Sequence, residues 1–244
     1  MPAIVLVLLL LALLWIAFCG YRWGWGSFTK LHPLDAGRLP GTAAAYSIER
    51  AEPLAGSALK STTIIFLGSS VTYGAASKGM SFVDYIAKRD GRTAIKEAVS
   101  GTTLTDTRKS SYIRRLERLD ADHADLFICQ LSTNDAMQGK PLGQVAPPSQ
   151  REGFDTATVA GAIEHIIAYA GNRWGCPIVF YTNPRHESAA YREMVTLLKE
   201  MASKWDISII DLGGDEGFNG SAAEGRTRCM GCEVEGPLAG VVWG

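Results

Sequence analysis

"IIFLGSSVTYGAAS", residues 64–77, joins a run of β-formers to a stretch of small residues, with a glycine where the strand should end. The run starts two residues earlier, and "TTIIFLG" (62–68) reads as a strand because β-branched and aromatic side chains suit a pleated, packed surface. Outward from it the chain alternates. "FVDYIAKRD" (82–90) has helical spacing, "TAIKEAV" (93–99) is a second strand, and residues 108–119 make a second helix. "DLFICQLS" (125–132) is a continuous apolar run of the kind buried on both faces of a parallel sheet. "TATVAGAIEHIIAYAGNRW" (156–174) is amphipathic, with Val159, Ile163, Ile166 and Ile167 on its apolar side and Asp155 as its N-cap. "PIVFYTN" (177–183), "SAAYREMVTLLKEMASKW" (188–205) and "ISIIDL" (207–212) complete the order as strand, helix and strand. Strands alternating with helices specify an α/β fold, here a five-stranded parallel sheet between two helical layers. A Gly- and Pro-rich loop (139–155) interrupts the alternation, and no internal repeat or low-complexity segment is visible.

The whole chain has 244 residues, 47% hydrophobic and 20% charged, with a formal net charge of -1. That suffices for one well-buried α/β domain. The charge balance offers no basic stripe for nucleic acid. The densest basic run, "YIRRLERL" (112–119), places Tyr112, Leu116 and Leu119 near one helical face, so its arginines read as a solvated face.

Residues 3–20, "AIVLVLLLLALLWIAFCG", carry no charge and no strong breaker. At ~1.5 Å per residue this segment is just long enough to cross a bilayer core as a helix. Tyr21, Trp23 and Trp25 come next, where an interfacial aromatic belt would sit. A cleaved signal peptide is the rival reading, but no Lys or Arg precedes the run and no A-x-A site precedes Gly20. A lipoprotein reading of Cys19 is weakened by bulky Phe18 before it. The expectation is therefore a single-pass anchor (1–26), a Pro- and Gly-containing stalk (27–61) and one α/β domain (62–244). Arg22 and Lys30 nominally place that domain in the cytoplasm, yet simple N-terminal anchors often export the domain attached to them. The outer face of the membrane is the expectation adopted. Of the five cysteines, Cys229 and Cys232 form a lone C-x-x-C without the further ligands of a zinc site or the strand-to-helix context of a redox dithiol.

In open parallel sheets ligands bind at the carboxyl ends of the strands, which selects four loops. They are Gly68-Ser69-Ser70-Val71-Thr72-Tyr73-Gly74, "VSGTTL" (99–104) centred on Gly101, "STNDA" (132–136) and "TNPRHES" (182–188). The first is open to three readings: a tight turn, a phosphate cradle, or the seat of a nucleophile. It lacks the G-x-x-x-x-G-K-[ST] lysine and the G-x-G-x-x-G spacing of phosphate loops. "TND" alone is a common turn or cap. Converging at one edge, however, the loops supply a hydroxyl at the head of a helix and donors for an oxyanion: the backbone N–H groups of Ser70 and Gly101 and the Asn134 amide.

Gly68-Ser69-Ser70-Val71, Gly101 and Thr133-Asn134-Asp135 resemble, in order and spacing, the motifs of the SGNH (GDSL-like) hydrolases, in particular bacterial members with an N-terminal membrane anchor. The resemblance runs from about Thr62 to Asp211. It implies a three-layer α/β/α sandwich and an esterase or lipase that acts on an acyl or acetyl ester of a lipid or envelope carbohydrate. By position Ser70 matches the nucleophile, and Ser70 N–H, Gly101 N–H and the Asn134 amide match the oxyanion hole. The resemblance implies no metal or organic cofactor. Ser69 stands where an aspartate is usual, and Ser132 where a glycine often stands.

The family draws its base from an Asp-x-x-His motif after the fifth strand. Here the best register places Cys232-Glu233-Val234-Glu235 over it, with neither aspartate nor histidine. Of the four histidines, His32 lies in the stalk, His123 before the third strand, His165 in a covering helix, and only His186 after the fourth strand. Glu233 or Glu235 would serve as a base only if burial raised it well above ~4.3. Three explanations stay open for the tail from about residue 218: a non-catalytic relative that binds glycans or acylated ligands, a substitute base, or a frameshifted or truncated end.

Overall fold

The first strand, β1 (Thr63–Gly68), lies inside a five-stranded parallel sheet whose order is β2-β1-β3-β4-β5. The computed structural model describes residues 2–23, 42–184 and 188–215. β2 (Thr93–Ala98) pairs along the whole of β1, from Thr63↔Thr93 to Gly68↔Ala98, and β3 (Leu126–Gln130) pairs on the other side from Ile64↔Leu126 to Leu67↔Cys129. β4 (Ile178–Tyr181) and β5 (Ser208–Ile210) extend the sheet beyond β3. The chain moves outward from β1 to β2 and then crosses back to β3. In such sheets the carboxyl ends of the strands on either side of this reversal, β1 and β3, are the usual place for a ligand.

Successive strand side chains point to opposite faces. Ile65, Leu67, Phe127, Cys129 and Phe180 meet one helical layer, built from α4 (Tyr112–Leu116), α6 (Val159–Trp174) and α7 (Ala189–Trp205). Ile64, Phe66, Leu126, Ile128 and Tyr181 meet the other, with Val83 of α3 (Phe82–Asp90) and Val71 of α2 (Ser70–Tyr73). Ile64, Ile65, Leu67, Phe127 and Phe180 are completely buried, each contributing about 1.5–3 kcal/mol of hydrophobic stabilisation.

Three expectations are corrected at the level of single residues. The second helix, expected over 108–119, is only Tyr112–Leu116. The cap of α6 is Thr158, whose hydroxyl accepts from Gly161 N–H at 3.1 Å, while Asp155 caps the preceding turn at Ala157 N–H. Gly161 lies where a Cβ would come within 2.1 Å of Asp155 O, so the long loop presses directly on the helix backbone there. Arg115 is not on a solvated face. It lies three residues after Tyr112 on the buried side of α4 and is 8% exposed.

Residues 42–61 run along α3, with Tyr85 Oη donating to Tyr46 O, Lys88 Nζ to Ile48 O at 2.7 Å, and Ser57 Oγ to Asp90 at 2.7 Å. Earlier in the chain α1 (Pro2–Trp23) includes one span, Ile4–Arg22, long and apolar enough to cross a membrane. Its side chains from Ile4 to Leu14 face outward around the helix, Leu6 at 69% exposure. A helix that is apolar all round suits a lipid environment, and a signal sequence shares that property.

Candidate active site

The last residue of β1 is a glycine because a side chain there would collide with the next turn: an added Cβ at Gly68 would sit 1.7 Å from Thr72 Oγ1. The chain turns at Ser69 and begins α2 at Ser70. The two serines diverge sharply in environment. Ser69 is fully buried, its N–H donating to Gln130 Oε1 at 2.9 Å. Ser70 is half-buried at the head of the helix, and among the described residues no group hydrogen-bonds its hydroxyl. Of the two, only Ser70 is placed to meet a ligand.

Gly101, in the loop after β2, has φ +78, a backbone conformation that suits glycine. Around it Thr102 carries the connections. Thr102 O accepts from Asn134 Nδ2 at 2.9 Å and from Ser132 Oγ at 3.3 Å. Asn134 lies in the first turn of α5 (Thr133–Met137), capped by Ser132. An amide group carries two N–H donors, so the bond to Thr102 O fixes the Asn134 side chain and leaves its second N–H for a ligand.

Two residues not singled out from the sequence lock these loops together. Arg115 donates to Gly68 O at 2.8 Å, to Glu97 O at 2.8 Å and to Thr102 Oγ1 at 3.2 Å, so one guanidinium ties the ends of β1 and β2 to the Gly101 loop. Asp135, fully buried, accepts from Leu104 N–H at 2.8 Å and Thr105 N–H at 3.1 Å. Burial raises the Asp135 carboxyl above its ordinary range, partly offset by those two N–H bonds. Both residues had a legible signal: Arg115 by its i,i+3 spacing from Tyr112, and Asp135 by standing beside Asn134 in a motif expected to approach the Gly101 loop.

Beneath Ser70 lies a buried polar group centred on Gln130, a residue inside an otherwise apolar strand. Gln130 Oε1 accepts from Thr72 Oγ1 at 2.8 Å, and Thr72 Oγ1 is 2.6 Å from Tyr181 Oη. Gln130 Nε2 donates to Asn183 Oδ1 at 3.1 Å, and Asn183 Nδ2 donates to Leu131 O at 2.8 Å. Burial pushes the Tyr181 phenol well up and the Tyr191 phenol to about 12, so both keep their protons at neutral pH. Outside α1, the exposed large apolar side chains among the described residues are Leu54, Tyr73, Val99 and Met137. Three of these are near the expected site residues in sequence: Tyr73 lies three residues after Ser70, Val99 two before Gly101, and Met137 three after Asn134.

The histidines do not supply a base at this edge within the described residues. His123 is exposed and pairs with Asp125 at the amino end of β3, at 3.0 Å. His165 on α6 faces Glu117, at 3.3 Å. His186, the C-x-x-C pair and the Cys232–Glu235 register lie outside the described residues. Asp211, just past β5, accepts from Thr182 Oγ1 at 3.0 Å and from Lys199 Nζ at 2.6 Å. Among the described residues no cluster of three His, Cys, Asp or Glu side chains is arranged to hold a metal ion.

A family model described as GDSL-like lipase/acylhydrolase matches residues 66–228, well over half of the chain. No curated protein sequence matches. Among solved structures, a protein from Lactobacillus plantarum superposes with a TM-score of 0.57 at 17% identity, covering 74% of this chain and 92% of that one. A protein of Chitinophaga pinensis described as "a possible lipase" gives 0.53 at 19% identity, covering 64% and 70%. One from Bacteroides ovatus described as "a putative GDSL-like lipase" gives 0.50 at 19% identity, covering 64% and 86%. These likenesses show the three-layer fold.

Proposed function

Because the chain belongs to the GDSL-like lipase/acylhydrolase family, we propose that it is a serine esterase in which Ser70 is the nucleophile and Ser70 N–H, Gly101 N–H and the Asn134 amide bind the oxyanion. The observation that carries this reading is the contrast within one turn: Ser69 is buried and bonded, whereas Ser70 heads α2 with its hydroxyl uncommitted among the described residues. Ser70 Oγ adds to the acyl carbon as a base takes its proton, and the charge that develops on the carbonyl oxygen is met by the three donors. The bond to the alcohol then breaks, the alcohol leaves with that proton, and water releases the acid from the serine. The route uses no metal or organic cofactor.

The substrate class is an ester of a lipid or an envelope carbohydrate. Tyr73, Val99 and Met137, exposed beside the three site residues, support an apolar acyl group. We read α1 as an anchor that holds the domain against a membrane, on its outer face. A second reading, ligand binding without turnover, rests on the sequence, which puts Cys232-Glu233-Val234-Glu235 where the family has Asp-x-x-His, and on His123 and His165, which face Asp125 and Glu117.

Active-site titration with a fluorophosphonate separates the two. Turnover requires stoichiometric labelling located at Ser70, lost in Ser70→Ala together with hydrolysis of p-nitrophenyl esters. A chain that is never labelled, or whose esterase activity survives Ser70→Ala, is a binding protein or uses another residue.

A further inference from the structure

We infer that Gln130 is a positioning residue for the nucleophile turn, holding Ser69 and Thr72 from below so that Ser70 N–H stays available; the inference rests on the reading of Ser70 as nucleophile. The direction of every hydrogen bond in the buried group is set by its fixed members. Leu131 O can only accept, so the Asn183 atom against it is Nδ2, and Oδ1 is left facing Gln130 Nε2. From the other end, Ser69 N–H can only donate, so the Gln130 atom against it is Oε1. The two ends agree without reference to each other. With Oε1 fixed as acceptor, the Thr72 hydroxyl donates its proton to Gln130 and accepts from Tyr181 Oη. Tyr191 Oη, which accepts from Asn183 N–H at 2.9 Å, donates onward to Leu131 O at 3.2 Å.

The consequence concerns which amide is left. The first N–H groups of a helix have no partner within it. In α2, Ser69 N–H goes to Gln130 at 2.9 Å and Thr72 N–H points at the same oxygen at 3.4 Å. Tyr73 N–H returns to Ser69 O and Gly74 N–H to Ser70 O. Ser70 N–H and Val71 N–H remain uncommitted among the described residues, and Ser70 N–H is the one on the nucleophile residue itself. Gln130 is 0% exposed and sits on β3, which is paired on both sides, so it fixes the turn from a rigid part of the fold. It also joins the turn to Asn183 and hence to the loop after β4, which an apolar side chain of similar length would not do.

The test compares the full chain, in detergent, with Gln130→Leu, Thr72→Val and Thr72→Ser. Amide exchange is monitored in the peptide covering 68–74 and in β3, alongside the rate of fluorophosphonate capture at Ser70. Positioning predicts faster exchange in 68–74 but not in β3 for Gln130→Leu and Thr72→Val. It also predicts a capture rate lower by on the order of 100-fold, with KM for an ester little changed. Thr72→Ser, which keeps the hydroxyl, restores both. Unchanged exchange, exchange that rises equally in β3, or wild-type capture in both disrupting variants overturns the inference. If Gln130→Leu does not fold, Thr72→Val against Thr72→Ser decides alone. If the wild type is never captured, the reading of Ser70 as nucleophile fails, and the exchange comparison by itself decides whether Gln130 sets the turn.

Discussion

The carboxyl edge of the sheet has two halves, and they are fastened by different means. Past β1 and β3 the groups are buried: Ser69, Thr72, Gln130 and Asp135 are all at 0% exposure, and their bonds run to backbone, to one another, or to Tyr181 and Asn183. The loop after β4 shares that buried group through Asn183, whereas past β5 the tie is Asp211 to Lys199, whose side chains are 29% and 55% exposed. A buried polar group is costly unless every bond is made, so the first half tolerates one arrangement. A solvated ion pair contributes little and permits many. The half that presents Ser70 is therefore the rigid one.

The largest expected effect breaks that rigidity with one carbon. In Gly68→Ala the new Cβ would lie 1.7 Å from Thr72 Oγ1 and 2.9 Å from Gln130 Oε1, and Thr72 cannot retreat because its hydroxyl is held between Gln130 and Tyr181. Urea unfolding should show a loss of about 3 kcal/mol. The matching change in the other half, Gly213→Ala, brings nothing closer than 3.5 Å and should stay within about 0.5 kcal/mol of wild type. Equal effects at the two glycines would dissolve the comparison.

Asp135→Asn comes next. The amide keeps one oxygen for Leu104 N–H or Thr105 N–H but turns an N–H toward the other, a cost of about 1–3 kcal/mol. The pH dependence identifies the cause. Burial raises the folded Asp135 pKa above its unfolded value, so the folded state binds more protons in that window and stability falls as pH rises through it. The asparagine has no such slope. The advantage of wild type over Asp135→Asn in urea midpoints should therefore shrink as pH rises from about 4 toward neutrality, and a constant gap would mean that burial does not penalise the carboxylate.

Much of this was legible in advance, and the part that was not has a common cause. α3 begins and ends at Phe82 and Asp90, as its spacing predicts, and β1 through β5 fall within the expected runs. Period and composition reveal such elements because burial of a face repeats along the chain. The three-layer fold and the family were readable from short motifs at strand ends. The ties of Gln130 and Arg115 escaped because their partners are distant in sequence, as Ser69 is from Gln130 and Gly68 from Arg115, although the spacing of Arg115 from Tyr112 marks the arginine itself as buried. Gln130 still left a trace, since an amide inside "DLFICQLS" demands a buried partner. The five-residue α4 and the Thr158 cap differ from expectation because residues 107–111 and 155–158 hydrogen-bond as turns, through Ser111 N–H to Arg108 O and Thr158 N–H to Asp155 O.

The smallest effect tests the loose half by its opposite sign. Burial alone would raise Asp211, but hydrogen bonds from Lys199 and Thr182 and the Lys199 charge outweigh it, and the carboxyl lies below its ordinary range. A lowered folded pKa gives stability that is present above the unfolded value of about 3.9 and is lost as pH falls through the folded one. Lys199→Met removes the cation and keeps a long apolar stem. At neutral pH it should cost on the order of 0.5 kcal/mol, because the exposed ammonium is screened. As pH falls through the lowered folded value the cost should vanish, because Asp211 then takes up its proton in both chains. Thus the Lys199 gap widens with rising pH while the Asp135 gap narrows, and both can be read from urea midpoints across one pH series. A Lys199→Met penalty that persists unchanged into acid would assign it to lost packing of the lysine stem on α7, and the two halves would then differ in exposure but not in electrostatics.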